Sequence, residues 1–476
     1  MVPEHLRFGG GAADSTILPL MALFLLIAGV LMLLLPREKA IVPFMLAFFI
    51  IPFGQVAVLG GLHFNALRIL SLVGLLRRAT FQGSSRGKYP GGYNGIDRAV
   101  ILWSGLAVVM FCVQFPETQA FINALGTLVE TLGAYLVIRF LIPDHPTLRR
   151  AAKTMAFICV IQGIPMIIEQ ITRINVFGYF AGVWIHSAIR DGHVRSAGTM
   201  GALTAGPLAG ILIPIFLWLW TERRSRFAAC AGLAGALAMV ITSNSSTSWM
   251  ALMGSLVGLA FWPLRTRMRQ IRWGLLCTLI ALHLYMKAPV WALIARVDLT
   301  GSSSSYQRYA LVDMTIRHFR DWWLIGTPTY IDWGWDSFDL CNQFVAVALT
   351  GGLVTLIVYV TIFKRSFGAI GKARKLVNGD RHQEWFLWCL GANLFATVVA
   401  YFGINSGALL MVSFFILVAS ISVATVEATR KVRAAETASP AQIPYVPDAS
   451  GPRDESPREA ADQMLHIFPT VDRGTV

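Results

Sequence analysis

The chain has 476 residues, of which 55% are hydrophobic and only 14% are charged. A soluble protein of this length would need far more charge to cover its surface, so the composition excludes that class and predicts a membrane protein. The formal net charge is +14, and each short basic cluster adjoins an apolar segment. Basic cytoplasmic loops explain this charge, and no nucleic-acid partner is expected.

Cysteine and histidine residues form no recognisable ligand pattern. Five of the six cysteines fall inside apolar segments, and only Cys341 lies at the edge of a polar one. The sequence contains no CxxC pair and no Cys/His spacing typical of zinc, so neither a disulfide framework nor a metal site is predicted. We expect no metal and no other cofactor.

Apolar segments of roughly 17–22 residues, about the length that crosses the hydrocarbon core of a bilayer, recur from end to end. They predict an all-α polytopic membrane protein with 12–13 transmembrane helices. The predicted spans are 17–35, 41–59, 64–76, 100–115, 120–142, 155–171, 205–220, 228–241, 249–263, 273–287, 343–363, 385–402 and 408–426. The third is short and contains Arg68, so the alternative is that it lies at the membrane interface.

The connections between the spans indicate their orientation. Loops rich in Arg and Lys alternate with charge-poor loops at 116–119, 242–248 and 403–406. The positive-inside rule places the basic loops in the cytoplasm, and the C-terminus follows a basic cluster and is expected there too. Thirteen spans put the N-terminus outside, whereas twelve put it inside, and the sequence leaves both open.

Four regions are predicted along the chain. They are N-terminal transmembrane helices in 1–171, a core in 172–367, C-terminal transmembrane helices in 368–427, and a disordered cytoplasmic tail in 428–476. The core contains two long polar loops, about 172–204 and 288–342, which both lie outside and are expected to carry short helices. No paired broken helices occur in matching halves, which weighs against many transporter folds.

The first long loop is basic although it faces outward. It contains Arg190 and Arg195. Guanidinium groups suit diphosphates, because their planar fork of donors makes bidentate contacts. The alternatives are salt bridges within the loop and contact with lipid headgroups.

The second long loop combines arginines with aromatic residues and Asp. Arg296 and Arg308 lie in its first half, and Arg308 enters a predicted helix over 309–320. Trp333 and Trp335 lie among Asp residues, a composition that suits sugar binding because rings cover apolar sugar faces and carboxylates bind hydroxyls. The alternative is an amphipathic cap with an interfacial aromatic belt.

Three further polar features lie next to spans or within them. Asp339 precedes Asn342 at the start of a long span, where it is interpreted either as a general base or as a helix N-cap. Glu130 lies in the middle of a span, which indicates either a function or a buried structural hydrogen bond. The polar hairpin 243–248 either lines the cleft or is an ordinary turn.

These pieces together resemble the bacterial O-antigen ligase and O-antigen polymerase superfamily over roughly 172–367. The matching features, in chain order, are Arg195-Ser196-Ala197-Gly198 before an apolar span, the hairpin 242–247, Arg308 followed by Trp323-Leu324-Ile325-Gly326, and Asn342 followed by Gly352. They are similar to the superfamily's arginine-x-x-glycine stretch, its TxSS hairpin, its arginine-led helix ending in PLxGxG, and the motif that opens its next span. Their order and spacing carry the resemblance.

Two details favour the polymerase branch of the superfamily. Arg190 and Gly201 are separated by ten residues, as are Arg195 and Gly206, a spacing that resembles a loop motif of O-antigen polymerases. Ligases of the superfamily have a histidine immediately before the residue equivalent to Asn342, and here that position is Cys341. Asp339 is the substitute base in this interpretation.

The resemblance implies a metal-independent glycosyltransferase of the bacterial cytoplasmic (inner) membrane, acting at its periplasmic face. It would polymerise oligosaccharide repeats linked to polyprenyl diphosphate, with membrane lipids and either a chain-length regulator or a flippase as further partners. The expected catalytic residues are Asp339, Arg195 and Arg308. The expected substrate-binding residues are Arg190, Arg296, Asn342, Trp333 and Trp335.

Two alternatives remain open on the sequence. One is an O-antigen ligase that transfers the glycan from polyprenyl diphosphate to an acceptor. The other is a non-enzymatic transporter of lipid-linked oligosaccharides. A transporter is expected to show charges in the middle of its spans and little chemistry in its outward loops, whereas Glu130 is the clearest mid-span charge here.

Overall fold

A computed structural model describes residues 15–82, 87, 89–190, 192–296, 304–334, 339–377 and 379–438. The side chains of 295, 296, 304 and 431–438 are outside this description. The chain divides into two compact units, Met1–Val432 and Arg433–Val476. Of the second unit, only the end of one helix is described, so the predicted tail beyond 438 lies outside the described residues, as does Trp335.

Helices dominate the described structure. Ten of them precede the second long loop: α1 Pro19–Leu34, α2 Ile41–Ile50, α3 Ala66–Thr80, α4 Gly95–Gln114, α5 Thr118–Leu141, α6 His145–Thr172, α7 Ala202–Thr221, α8 Arg226–Thr242, α9 Ser246–Ala260 and α10 Met268–Tyr285. Three short ones lie within that loop: α11 Leu293–Arg296, α12 Ser304–Arg317 and α13 Phe319–Trp322. Three long ones follow: α14 Gln343–Leu376, α15 Arg381–Tyr401 and α16 Gly407–Ala438.

Each of the thirteen predicted spans overlaps one helix. Among the described residues, eight helices are long and apolar enough to cross a membrane, namely α4–α8 and α14–α16. Three shorter apolar helices, α1, α2 and α9, accompany them. The chain is therefore an all-α, multi-pass membrane protein.

Some helix ends differ from the predicted boundaries. Helix α2 ends at Ile50, whereas the span was predicted to continue to 59, because Ile51 precedes Pro52 and adopts an extended conformation. Helix α16 continues to Ala438, although the disordered tail was predicted to begin at 428.

Two antiparallel hairpins, neither of them predicted, interrupt the helical pattern. Strands β1 Val56–Leu59 and β2 Leu62–Asn65 follow α2, and the glycine pair between them supplies two positive φ angles. Strands β3 Ala188–Arg190 and β4 His193–Arg195 lie in the first long loop. This loop thus holds a hairpin, and the second loop holds the expected short helices.

The connections between helices form two groups, and the connections within each group contact one another. The first group joins α2–α3, α4–α5, α6–α7, α8–α9, α10–α14 and α15–α16. The Gln55 amide donates to the Ala181 carbonyl at 3.2 Å, which ties the α2–α3 connection to the first long loop. The Gln114 amide, at the end of α4, donates to the Ile325 carbonyl of the second long loop. We name the end of the bundle that these connections form the hairpin end.

The remaining connections lie at the opposite end, where most basic residues are found, and we name it the basic end. Arg37, after α1, donates to the Phe140 carbonyl near the end of α5. Arg149, near the start of α6, pairs with Glu222 after α7 at 2.9 Å. Arg77, at the end of α3, donates to the Leu35 carbonyl. Helix α3 therefore runs from the hairpin end, where it follows β2, to the basic end.

Close packing of α6 to α9 depends on glycines. A Cβ at Gly235 of α8 would lie 2.6 Å from the backbone of Cys159 in α6. A Cβ at Gly206 of α7 would lie 2.0 Å from the Ser248 hydroxyl of α9. Small residues let helix backbones approach closely in membranes, where packing replaces the hydrophobic effect between helices. Gly206 is one of the glycines of the arginine-x10-glycine spacing, and this contact explains why that position is glycine.

Candidate functional site at the hairpin end

The segment around Arg195 is held against the α8–α9 hairpin. Arg195 ends β4 and is half-buried, whereas Arg190, on β3, is exposed. The amide of Ser196 donates to the Thr242 carbonyl at 3.1 Å, and the Asn244 side chain donates to the Val194 carbonyl at 2.6 Å. Asn244 has a φ of +43°, which turns the chain sharply between α8 and α9. The backbone on both sides of Arg195 is thus fixed to one turn.

Arg308 meets the same hairpin from the second long loop. Its side chain, on α12, is only 6% exposed. One guanidinium nitrogen donates to the Ser246 hydroxyl at 2.8 Å and to the Thr247 hydroxyl at 3.0 Å. Both hydroxyls lie in the first turn of α9, where the helix dipole places a partial positive charge. A buried guanidinium at the positive end of a helix creates a local environment that favours an anion.

The start of α14 is the third element of the candidate site, after the Arg195 segment and Arg308. The side chain of Asn342 accepts hydrogen bonds from the amides of Phe344 at 2.9 Å and Val345 at 3.2 Å, so it is the N-cap of α14. The Thr247 hydroxyl donates to the Gly403 carbonyl at 3.1 Å, which joins the hairpin to the α15–α16 connection. The helix cap proposed for Asp339 thus belongs to Asn342.

Asp339 and Cys341 precede α14 in the chain, and Cys341 interacts electrostatically with both Asp339 and Arg308. Asp339 is exposed, and its carbonyl accepts from the Cys341 amide at 2.8 Å. Burial raises the pKa of Cys341 to about 11, the nearby Arg308 lowers it, and Asp339 raises it. The thiol is therefore protonated at neutral pH, and it has no basic lone pair comparable to that of the histidine expected here in the ligases that the sequence resembles. Asp339 is the exposed carboxylate beside it.

The segment that follows α13 packs into a break in α14. Gly352 interrupts the helix with a φ of +74°, and a Cβ there would lie 2.5 Å from the Leu324 carbonyl. The amide of Leu353 donates instead to the Trp323 carbonyl at 2.8 Å. This contact joins two of the motifs that carry the family resemblance, although they are distant in sequence.

The predicted sugar-binding residues are only partly described. Trp333 is half-buried and stacks on His318, with ring centroids 4.6 Å apart and an angle of 10° between the rings. It also packs against the small apolar cluster that contains Leu311 and Trp322, which agrees with the amphipathic-cap alternative. Arg296 ends α11, and its side chain lies outside the described residues, as does Trp335.

The sequence analysis did not identify some of the polar residues that lie at the hairpin end. Glu169 and Gln162, inside the predicted span of α6, hold the segment after Arg195. Their presence in an apolar span was the available indication, since buried polar side chains in membranes need partners. Glu130 accepts hydrogen bonds from Arg68 and Asn65, each at 2.7 Å, which agrees with its structural interpretation.

The described residues include no group of three or more His, Cys, Asp or Glu side chains that could hold a metal ion. The polar groups that the described residues bring together at the hairpin end include arginines, hydroxyls and a carboxylate. Comparison with protein-family models and with curated protein sequences finds no match for this chain.

Proposed function

We propose that this protein is a membrane glycosyltransferase that polymerises lipid-linked oligosaccharide repeats at the outer face of the bacterial cytoplasmic membrane. The observation that carries the proposal is the convergence on one hairpin of Arg308, which is buried, and the Arg195 segment. The order of motifs along 172–367, similar to the O-antigen ligase and polymerase superfamily, supports the same activity.

The diphosphate of the donor would bind between Arg195, Arg308 and the start of α9. Diphosphates carry several negative charges and pairs of acceptor oxygens, which suit the two parallel N–H donors of a planar guanidinium group. The hydroxyls of Ser246 and Thr247 orient the Arg308 guanidinium at the N-terminus of α9. Preorganised donors of this kind stabilise charge that develops on a leaving group without a metal.

These positions support the following transfer step. A hydroxyl oxygen of the acceptor sugar attacks the anomeric carbon of the donor glycan, and the bond from that carbon to the diphosphate oxygen breaks. The electron pair remains on the polyprenyl diphosphate, which the arginines bind. Asp339 accepts the hydroxyl proton, because its exposed carboxylate lies near the half-buried Cys341, which also interacts electrostatically with Arg308.

The proposed topology has thirteen crossings, with the hairpin end outside and both the basic end and the C-terminus in the cytoplasm. It is supported by the path of α3 between the two ends, which favours thirteen crossings over twelve. Basic residues concentrate at the opposite end, as the positive-inside rule expects. In this arrangement the N-terminus is outside, on the same side as both long loops.

Deletion of the gene tests the proposed activity. We expect a gel to show loss of long surface or exported polysaccharide, with single lipid-linked repeats retained. Normal long polymer in the deletion strain would contradict the proposal. Polymer of normal length that remained attached to lipid would instead identify a ligase, the alternative that the histidine position occupied by Cys341 disfavours.

A further inference from the structure

The carboxylate of Glu169 is buried at the end of α6, beneath the segment that follows Arg195. Glu169 is 1% exposed. Its oxygens accept hydrogen bonds from the Ala197 amide, at 3.0 Å to each, and from the Gly198 amide at 3.0 Å. The Ser187 hydroxyl, on the opposite side of the first loop, donates to it at 3.0 Å. One side chain therefore binds both arms of the loop that presents Arg195.

The next residues of this segment are bound in the same way. Gln162, two turns earlier on α6, accepts from the Thr199 amide at 3.1 Å and donates to the Thr199 hydroxyl at 2.6 Å. Asn175 donates to the Gly198 carbonyl at 2.8 Å. Gly198 has a φ of +54°, and a Cβ there would lie 2.5 Å from the Gln162 side chain. The backbone is thus held by side chains from α6 and the start of the loop.

Burying a carboxylate is costly, and hydrogen-bond donors offset that cost only when they are well placed. Here the donors are backbone amides two and three residues after Arg195, so the carboxylate and the conformation of this segment depend on each other. Such an arrangement fixes a loop more tightly than exposed contacts would.

We propose that Glu169 is a positioning residue, which sets the backbone of the Arg195 segment and so aims its guanidinium at the diphosphate of a polyprenyl-linked donor. The inference rests on the proposed function, because it assigns the diphosphate to Arg195. Glutamine is a poor replacement for Glu169, because in either orientation its amide nitrogen would face the amide donor of Ala197, which contacts both carboxylate oxygens.

Binding of geranylgeranyl diphosphate to the purified full chain in lipid nanodiscs tests the inference without relying on turnover. Glu169→Gln is expected to weaken binding by about 10-fold to 100-fold, by analogy with groups that support metal ligands. A double-mutant cycle with Arg195→Lys gives the specific readout, because Glu169→Gln should weaken binding far less once Arg195 is replaced. Glu117→Gln, which removes an exposed carboxylate at the hairpin end, is the matched control and should bind within twofold of wild type.

Unchanged binding in Glu169→Gln, or equal losses in both backgrounds of the cycle, would overturn the inference. If Glu169→Gln does not fold, Ser187→Ala decides, since it removes one donor to the same carboxylate. Weaker binding in Ser187→Ala supports the inference, and wild-type binding overturns it. Wild-type binding in both Arg195→Ala and Arg308→Ala would instead show that the proposed diphosphate site itself is wrong.

Discussion

Two contacts of Arg308, at the hairpin end, differ in kind from those of three arginines at the basic end. At the basic end, Arg265 and Arg374 both pair with Glu384, at 3.1 and 2.8 Å. Arg77 donates to the Leu35 carbonyl at the C-terminus of α1, the negative end of a helix dipole. At the hairpin end, Arg308 donates to two uncharged hydroxyls at the positive end of α9.

In our proposal the orientation of Arg308 suits it to an anionic ligand, whereas Arg68, also at the hairpin end, pairs with Glu130 at 2.7 Å. Carboxylates and C-terminal carbonyls offset a guanidinium charge, whereas the hydroxyls of Ser246 and Thr247 orient one without adding negative charge. The chain thus uses one residue type to anchor the basic end and, in our proposal, to bind an anion at the other.

Loss of the arginines at the hairpin end is expected to have the largest effect. Arg195→Ala and Arg308→Ala should each lower polymerisation by about 10²–10³, the cost of removing one preorganised donor to a developing charge. Lysine should restore activity only partly, because it cannot make the bidentate contact. Polysaccharide gels, with immunoblots of the membrane fraction, measure both activity and protein level. Near wild-type polymer in Arg195→Ala at equal protein level would be the most damaging result.

Asp339→Asn distinguishes a catalytic base from a structural residue at the hairpin end. It should abolish polymerisation if Asp339 is the base, because an amide cannot accept the proton. Its thermal stability should be unchanged, since Asn342 is the cap of α14. Asn342→Ala should instead destabilise the protein by about 1 kcal/mol, the usual cost of losing a cap. Full activity of Asp339→Asn in the same gel assay would eliminate the proposed base.

The thiol of Cys341 reports the electrostatics of this end directly. Its folded pKa of about 11 lies above the ordinary value of a thiol, so the reactive thiolate is scarce at neutral pH. Alkylation by a water-soluble maleimide should therefore be slow near pH 7 and should accelerate about tenfold per pH unit toward pH 10. A rate that levels off near pH 8 would show that burial does not dominate this site. Cys341→Ser identifies the labelled residue.

Cysteine labelling tests the orientation of the two ends. In a background without native cysteines, Ala188→Cys, exposed at the hairpin end, should react with a membrane-impermeant thiol reagent added to cells whose outer membrane is permeabilised. Lys372→Cys, exposed at the basic end, should react only after the inner membrane is disrupted. Labelling of Lys372→Cys before that treatment would reverse the proposed topology.

The smallest functional effect is expected at the basic end. Arg265→Ala removes one of two arginines on Glu384 and a cation–π contact with Trp262, whose ring centroid lies 4.3 Å from the guanidinium. It should lower thermal stability modestly and leave polymer length unchanged, because Arg374 still pairs with the carboxylate. A polymerisation defect comparable to that of Arg308→Ala would remove the distinction between the two ends.

Membrane character and the approximate positions of the long apolar helices followed from sequence alone. Long apolar segments must be helical in lipid, where backbone groups need internal partners, so composition and segment length were sufficient. The positive-inside rule separated the two groups of connections, because one group of loops is rich in Arg and Lys and the other is poor in charge. Arg195, Arg308 and Asp339 could be identified as candidates because charged residues in the two long polar loops suggest a function.

Only the tertiary structure decided which of these residues meet. Arg195 and Arg308 are far apart in sequence and approach through a short hairpin whose contacts no periodicity encodes. The hairpin of β1 and β2, the break at Gly352 and the role of Asn342 as a cap depend on local dihedral angles and long-range hydrogen bonds. The role of Glu169 was also not predictable from sequence, because it depends on hydrogen bonds from two backbone amides of the loop that follows α6. Spacing along a chain predicts which face of a helix a residue occupies, whereas packing between distant segments determines what that face touches.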